Sequence, residues 1–160
     1  MKTQAKEAAA RQSTPLASRI LGALVFLMGV GGTITGPMLF LRPDGSLIGF
    51  PGDMLNGTPF HDYTIPGIVM FLFLGLYSLF VGYGLVRRPP WRWPEAINPS
   101  KDRHWAWASS WALGIIILVW ITVETVLFGY ISFLQPVVAM WGSLIILLSL
   151  LPDVRRYYLR

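Results

Sequence analysis

Four stretches of this sequence stay apolar for longer than a soluble core helix requires: residues 20–41, 65–86, 107–128 and 133–151. A helix rising 1.5 Å per residue needs about 20 mostly apolar residues to cross roughly 30 Å of hydrocarbon. The four together take up more than half of the 160 residues. Little chain is left for a separate soluble unit, so any function has to reside in the bundle or its loops. The expected fold class is an all-α membrane protein, a single domain built as a four-transmembrane-helix bundle. Its remaining parts would be an N-terminal arm (1–19), an outer loop (42–64), a cytoplasmic loop (87–106) and a short tail (152–160).

Composition narrows the function classes. Charged residues make up 13% of the chain and apolar ones 54%, against roughly 25% charged in soluble proteins. Intrinsic disorder is excluded by the apolar content. With no cysteine in the chain, disulfide scaffolds, thiolate-ligated haem or iron–sulfur centres, cysteine zinc sites and S-palmitoylation are excluded as well. The net charge of +5 reads as membrane topology rather than nucleic-acid binding, because its placement is one-sided. Of 13 Lys and Arg residues, only Arg42 falls in the outer loop; the other twelve lie in the arm, the 87–106 loop and the tail. Basic residues in short loops stay on the cytoplasmic side, so both termini are expected there (N-in, C-in).

Aromatic side chains settle at the headgroup level. Trp91, Trp93, Trp105, Trp107, Trp111, Tyr157 and Tyr158 would mark the cytoplasmic interface, and Phe60, Tyr63 and Tyr130 the outer one. Trp120 and Trp141 depart from this scheme. Each lies eight residues inside its span, about 12 Å deep, so each indole N–H needs an internal acceptor. The first span follows basic residues as a signal peptide does, but it is too long and lacks a small-x-small cleavage site, so it is expected to remain attached. The arm before it is expected to be mobile or to lie on the surface as a helix.

Membrane helices associate where small residues let backbones approach. Gly29, Gly32 and Gly36 in the first span and Gly75, Ser78 and Gly82 in the second repeat at i, i+3, i+7; Ala139, Gly142 and Ser149 lie on the fourth. These faces are expected to be packing seams, within the chain or toward a homo-oligomer or larger membrane complex. The four-residue link 129–132 makes the third and fourth spans antiparallel neighbours, with a capping-box spacing at Ser132 and Gln135. Four prolines at 89, 90, 94 and 99 predict an extended 87–106 loop along the headgroups.

Glu124 is the one acidic residue inside a span, and an ionisable group there is a candidate site by default. Trp120, one turn earlier, shares its helix face, and Gln135 should reach the same depth. Arg42 could pair with Glu124. A structural pair is the bland reading, a proton or cation contact the sharper one. The outer loop carries Leu47, Ile48, Phe50, Met54, Leu55 and Phe60 among its turn formers, which predicts a cap folded onto the bundle, with Thr58-Pro59 starting a short helix. Asp44, Asp53, His61 and Asp62 could join Glu124 in an oxygen-rich cation site, but no metal-binding spacing supports it; turn and helix capping suits these side chains better. His61 and His104 fall on opposite membrane faces, so they cannot ligate one haem. No catalytic, cofactor or metal motif is visible.

The stretch Thr58-Pro-Phe-His-Asp-Tyr-Thr-Ile-Pro-Gly67, together with Trp120 to Glu124 and Leu134-Gln-Pro136, resembles a family of small bacterial four-span membrane proteins with no assigned activity. The resemblance implies a bacterial inner-membrane location and transfers no catalytic residue. The function expected from the sequence is a non-enzymatic accessory, assembly or interaction component of the membrane. The alternative is a small oligomeric transporter or channel using Glu124 as its proton or cation site.

Overall fold

A computed structural model describes residues 14–50 and 52–160; residues 1–13, and with them most of the expected mobile or surface-lying arm, lie outside the described residues, while Leu16–Arg19 of that arm form the start of the first long helix. The described chain is helical, with no strand beyond one isolated bridge between Arg103 and Leu159. Its long helices are α1 (Leu16–Leu41), α2 (Thr64–Arg87) and α4 (Trp105–Phe128), each long and apolar enough to cross a membrane, and α5 (Leu134–Leu150), an apolar helix of 17 residues. Two short helices, α3 (Arg92–Ala96) and α6 (Pro152–Tyr157), lie at the end that carries both described termini, the terminal end below. The opposite end carries the α4–α5 hairpin and the 42–63 loop, and is called the cap end.

Glycine decides how α1 meets α2. A Cβ placed on Gly32 would stand 2.5 Å from the Gly75 amide nitrogen, one on Gly36 2.7 Å from that of Phe71, and one on Gly67 2.7 Å from Leu39 Cβ. The two backbones therefore touch without intervening side chains, as the small-residue stripes predict. Gly29, Gly32, Gly36, Gly75, Ser78 and Gly82 are all buried between α1 and α2. Within the chain, these small residues are occupied by the contact between the two helices. A second seam joins α4 to α5, where a Cβ on Gly114 would lie 2.8 Å from the Gly142 carbonyl. Midway along α2, residues Met70–Leu76 form a π-helix, a widened turn that often accompanies functional sites.

Between the two helix pairs, the layer nearest the terminal end is filled by Leu21, Val25, Leu113, Ile117 and Ile145, all fully buried. Trp105 and Trp107 belong to this core and not to an interface, and Tyr158 is likewise buried. The correction has a physical cause: each ring's polar atom finds a carbonyl inside the fold. Trp107 Nε1 donates to Ser149 O at 2.7 Å, Trp105 Nε1 to Pro89 O at 3.2 Å and Tyr158 Oη to Leu85 O at 3.0 Å. The 87–106 loop is not extended throughout. It forms α3 and then a turn held by Asn98, whose Nδ2 donates to Glu95 Oε1 and to Arg103 O, both at 2.8 Å.

Candidate functional site

The cap folds as its apolar residues require. Leu55 and Tyr63 pack on Leu39, with Ile48, Phe50, Phe60, Met70 and Phe128 around them. Tyr63 N donates to Pro43 O at 3.0 Å, which closes the loop on its own start. Gly45, at φ +77°, has no room for a side chain, because a Cβ there would meet Phe50 O at 2.6 Å; a left-handed turn with backbone overhead takes glycine. The loop's short helix is a 3-10 turn at Gly52–Leu55, earlier than expected. Thr58 does not start one. Its hydroxyl donates back to Leu55 O at 2.8 Å, and Thr58-Pro59 leads out of the turn.

Two of the loop's acidic residues, Asp44 and Asp62, cap local backbone. Asp44 Oδ1 accepts from Ser46 N at 3.0 Å and from Ser46 Oγ at 2.7 Å, and Asp62 Oδ1 accepts from Thr64 N at 2.8 Å at the start of α2. These donors hold both carboxyls below the ordinary aspartate range. Asp53 and His61 are exposed. Among the described residues no three of His, Asp and Glu gather in metal-binding geometry, so the loop acids and Glu124 do not assemble into a group of three or more.

Glu124 itself is drawn inward. It is half-buried on α4, and its polar neighbours are the side chains of Trp120 and Gln135. Gln135 is buried and occupied on both sides: Oε1 accepts from Ile131 N at 2.9 Å, and Nε2 donates to Gly129 O at 3.0 Å. An amide nitrogen carries two hydrogens, so Nε2 keeps one for the carboxylate while bracing the hairpin. Only half of the expected capping box forms: Gln135 Oε1 accepts from Ser132 N at 3.4 Å, but Ser132 Oγ accepts from Leu134 N at 3.2 Å and not from Gln135 N, whose partner is the Ser132 backbone carbonyl. The Arg42 pair does not form. Among the described residues the ion pairs are Arg103–Asp102 and Arg160–Glu95, both at the terminal end. Arg42 is exposed at the end of α1, and Phe50 and Met54 of the cap line the space over Glu124.

Glu124 opens onto a cleft of about 370 Å³ between α1, α4 and α5. Leu27, Met28 and Gly31 form one wall and Leu134, Val137 and Val138 the other, with Met70 and Leu74 of the π-helical segment, Trp120 and Glu124 also lining it. A Cβ on Gly31 would meet nothing within 4 Å, so the α1 wall is open there. Trp141, whose depth left its N–H without an obvious acceptor, donates to Leu24 O at 3.1 Å and ties α5 to α1 at one side of this cleft. Sequence reasoning singled out Glu124, Trp120 and Gln135. It missed Trp141 as a wall and the π-helical segment, although the odd depth of Trp141 was a signal.

The arrangement is a mostly apolar slot with one carboxylate, one amide and the hydroxyl-bearing Thr35 and Ser132 in its lining, suited to holding a lipophilic molecule by its chain and by a hydrogen-bond donor on its head. No protein-family model, curated protein or solved structure matches the chain.

Proposed function

We propose that this chain is a four-span membrane protein with both termini on the cytoplasmic side, and that it acts by binding rather than by catalysis. As an accessory component, it would seat a lipophilic molecule with a donor headgroup in the Glu124 cleft. The observation that carries the reading is the placement of the only acidic side chain of α4 in a mostly apolar cleft, since a carboxylate there is costly unless something uses it. The one-sided distribution of Lys and Arg supports the orientation. The fourth span is supported by the apolar make-up of α5 and its antiparallel seam with α4; its 17 residues reach about 26 Å, near the hydrocarbon thickness. The resemblance of the 58–67 stretch supports a bacterial inner membrane.

The transporter alternative is less well supported by the geometry. Below Glu124 the core layer of Leu21, Val25, Leu113, Ile117 and Ile145 is fully buried and apolar, and a proton or cation would need polar groups through it.

Native mass spectrometry of the protein extracted from its own membrane tests the reading. The parent should carry one small lipophilic adduct, Glu124→Leu should lose it, and Ser143→Ala, a helix-face change outside the cleft lining, should retain it. An adduct unchanged in Glu124→Leu, or none in the parent, overturns the proposal.

A further inference from the structure

At the terminal end lies a second cleft, also of about 370 Å³, of opposite character. It is bounded by Arg87 and Arg88 at the end of α2, by His104, and by the tail from Tyr157 to Arg160. The tail is fixed in place: His104 N donates to Tyr158 O at 2.9 Å and Arg160 N to Asp102 O at 3.1 Å.

Three features set this cleft apart from a solvated basic surface. First, Arg88 caps α2 at φ +47°, ψ +52°, and is the only described non-glycine residue with positive φ. Glycine is the residue such a left-handed cap favours, so the backbone gives no reason for an arginine. Its guanidinium lies 4.4 Å from the Tyr157 ring centroid, and Nη1 donates to Tyr157 O at 3.4 Å. That aims the group and leaves most of its five N–H donors unused. Second, two of the acids at this end are committed elsewhere, Glu95 to Arg160 and Asp102 to Arg103, while Asp153 of α6 forms no ion pair among the described residues. Arg87 has no hydrogen-bonding or ionic partner among the described residues. His104 offers no free donor, because Nδ1 accepts from Ala106 N and Nε2 lies 3.0 Å from Pro89 O. Third, the charged cleft adjoins bare apolar surface: Val86 is 70% exposed and Leu159 51%.

We propose that this cleft is a binding site for the phosphodiester headgroup of an anionic phospholipid, with Arg87 and Arg88 as its ligands. Planar guanidinium forks match phosphate oxygens. Val86 and Leu159, exposed beside them, would meet the start of an acyl chain, which a free phosphate lacks. The inference rests on the membrane reading but not on the Glu124 cleft.

The test is native mass spectrometry of the protein released from nanodiscs of phosphatidylcholine and phosphatidylglycerol in equal parts. The parent should retain phosphatidylglycerol selectively. The double variant R87Q/R88G should lose that preference by roughly tenfold or more, the loss of one or two charge-assisted contacts. It should do so with an unchanged or higher Tm in phosphatidylcholine alone, since glycine suits the cap. A charge-matched control, R155Q/R156Q, removes two exposed arginines of α6 and should keep the preference. Equal loss in both doubles would mean diffuse attraction and overturn the site, as would no loss in R87Q/R88G. Inorganic phosphate added in phosphatidylcholine should neither raise the Tm of the parent nor displace phosphatidylglycerol; if it does both, the ligand is a free anion and the lipid assignment falls. Loss of the Glu124 adduct with intact phosphatidylglycerol retention, or the converse, separates the two sites, and a protein monodisperse without amphiphile would remove the membrane reading beneath both.

Discussion

At the terminal end of the bundle, rings and carbonyls close on one another. The Pro89 carbonyl receives Trp105 Nε1 and faces His104 Nε2, Tyr158 Oη reaches Leu85 O, and Phe80, Trp91 and Trp105 stack within 4.8 to 5.9 Å of each other. At the cap end the same kinds of residue leave space. Trp120 and Trp141 line a cleft around a carboxylate, and the widened turn of α2 and the bare Gly31 form part of it. Both ends contain tryptophan, glycine and a titratable group. Where donors and acceptors match within the chain, the result is a lock. Around Glu124, whose polar neighbours are the side chains of Trp120 and Gln135, the packing leaves a cleft beside them.

The contrast is sharpest in stability. Trp105→Ala should be the most damaging change at the terminal end, about 3–5 kcal/mol for a fully buried Trp, read as a large fall in the thermal unfolding temperature in detergent. Gly32→Val should cost about 1–3 kcal/mol or more by forcing α1 off Gly75, measured the same way. A tolerated valine would mean that the two helices are not in backbone contact. Glu124→Leu should leave the unfolding temperature unchanged or raise it, because an apolar side chain in an apolar cleft removes a desolvated carboxylate. A fall as large as that of Trp105→Ala would make the cap end a second lock and erase the contrast.

The smallest loss concerns His104. Its Nδ1 accepts from Ala106 N at 3.2 Å, which requires an unprotonated nitrogen, and burial holds the imidazole below its ordinary value. The unfolded chain then binds the extra proton. Stability from this group is therefore complete above pH of about 6.5 and is lost as the pH falls from there toward the lowered folded value. His104→Ala should cost about 1 kcal/mol through the lost cap. His104→Asn, which caps without titrating, should flatten the pH dependence of unfolding between neutral and mildly acidic conditions, and a slope identical to the parent's would assign it elsewhere.

The helices were legible because their length and apolarity leave few alternatives, and the starts of α1 and α4 differ from expectation by two to four residues. The Gly29–Gly32–Gly36 stripe was readable as a seam, but its partner was not, since spacing gives a face and not what lies opposite. Trp105, Trp107 and Tyr158 were misplaced at an interface for a similar reason. A ring near a helix end suits headgroups or core equally well, and only a carbonyl such as Ser149 O or Leu85 O, far along the chain, decides which. Of the candidate site, Glu124, Trp120 and Gln135 were found through local spacing. The Arg42 pair failed because the fold of the cap was not readable.

The absence of cysteine makes one measurement direct: a nitroxide attached to Gly31→Cys, whose accessibility to oxygen and to a water-soluble nickel chelate is read by electron paramagnetic resonance in lipid vesicles. The account predicts a label readily reached by oxygen and shielded from nickel, as in a cleft open to hydrocarbon. A label reached mainly by nickel, or one immobilised and reached by neither, would contradict it.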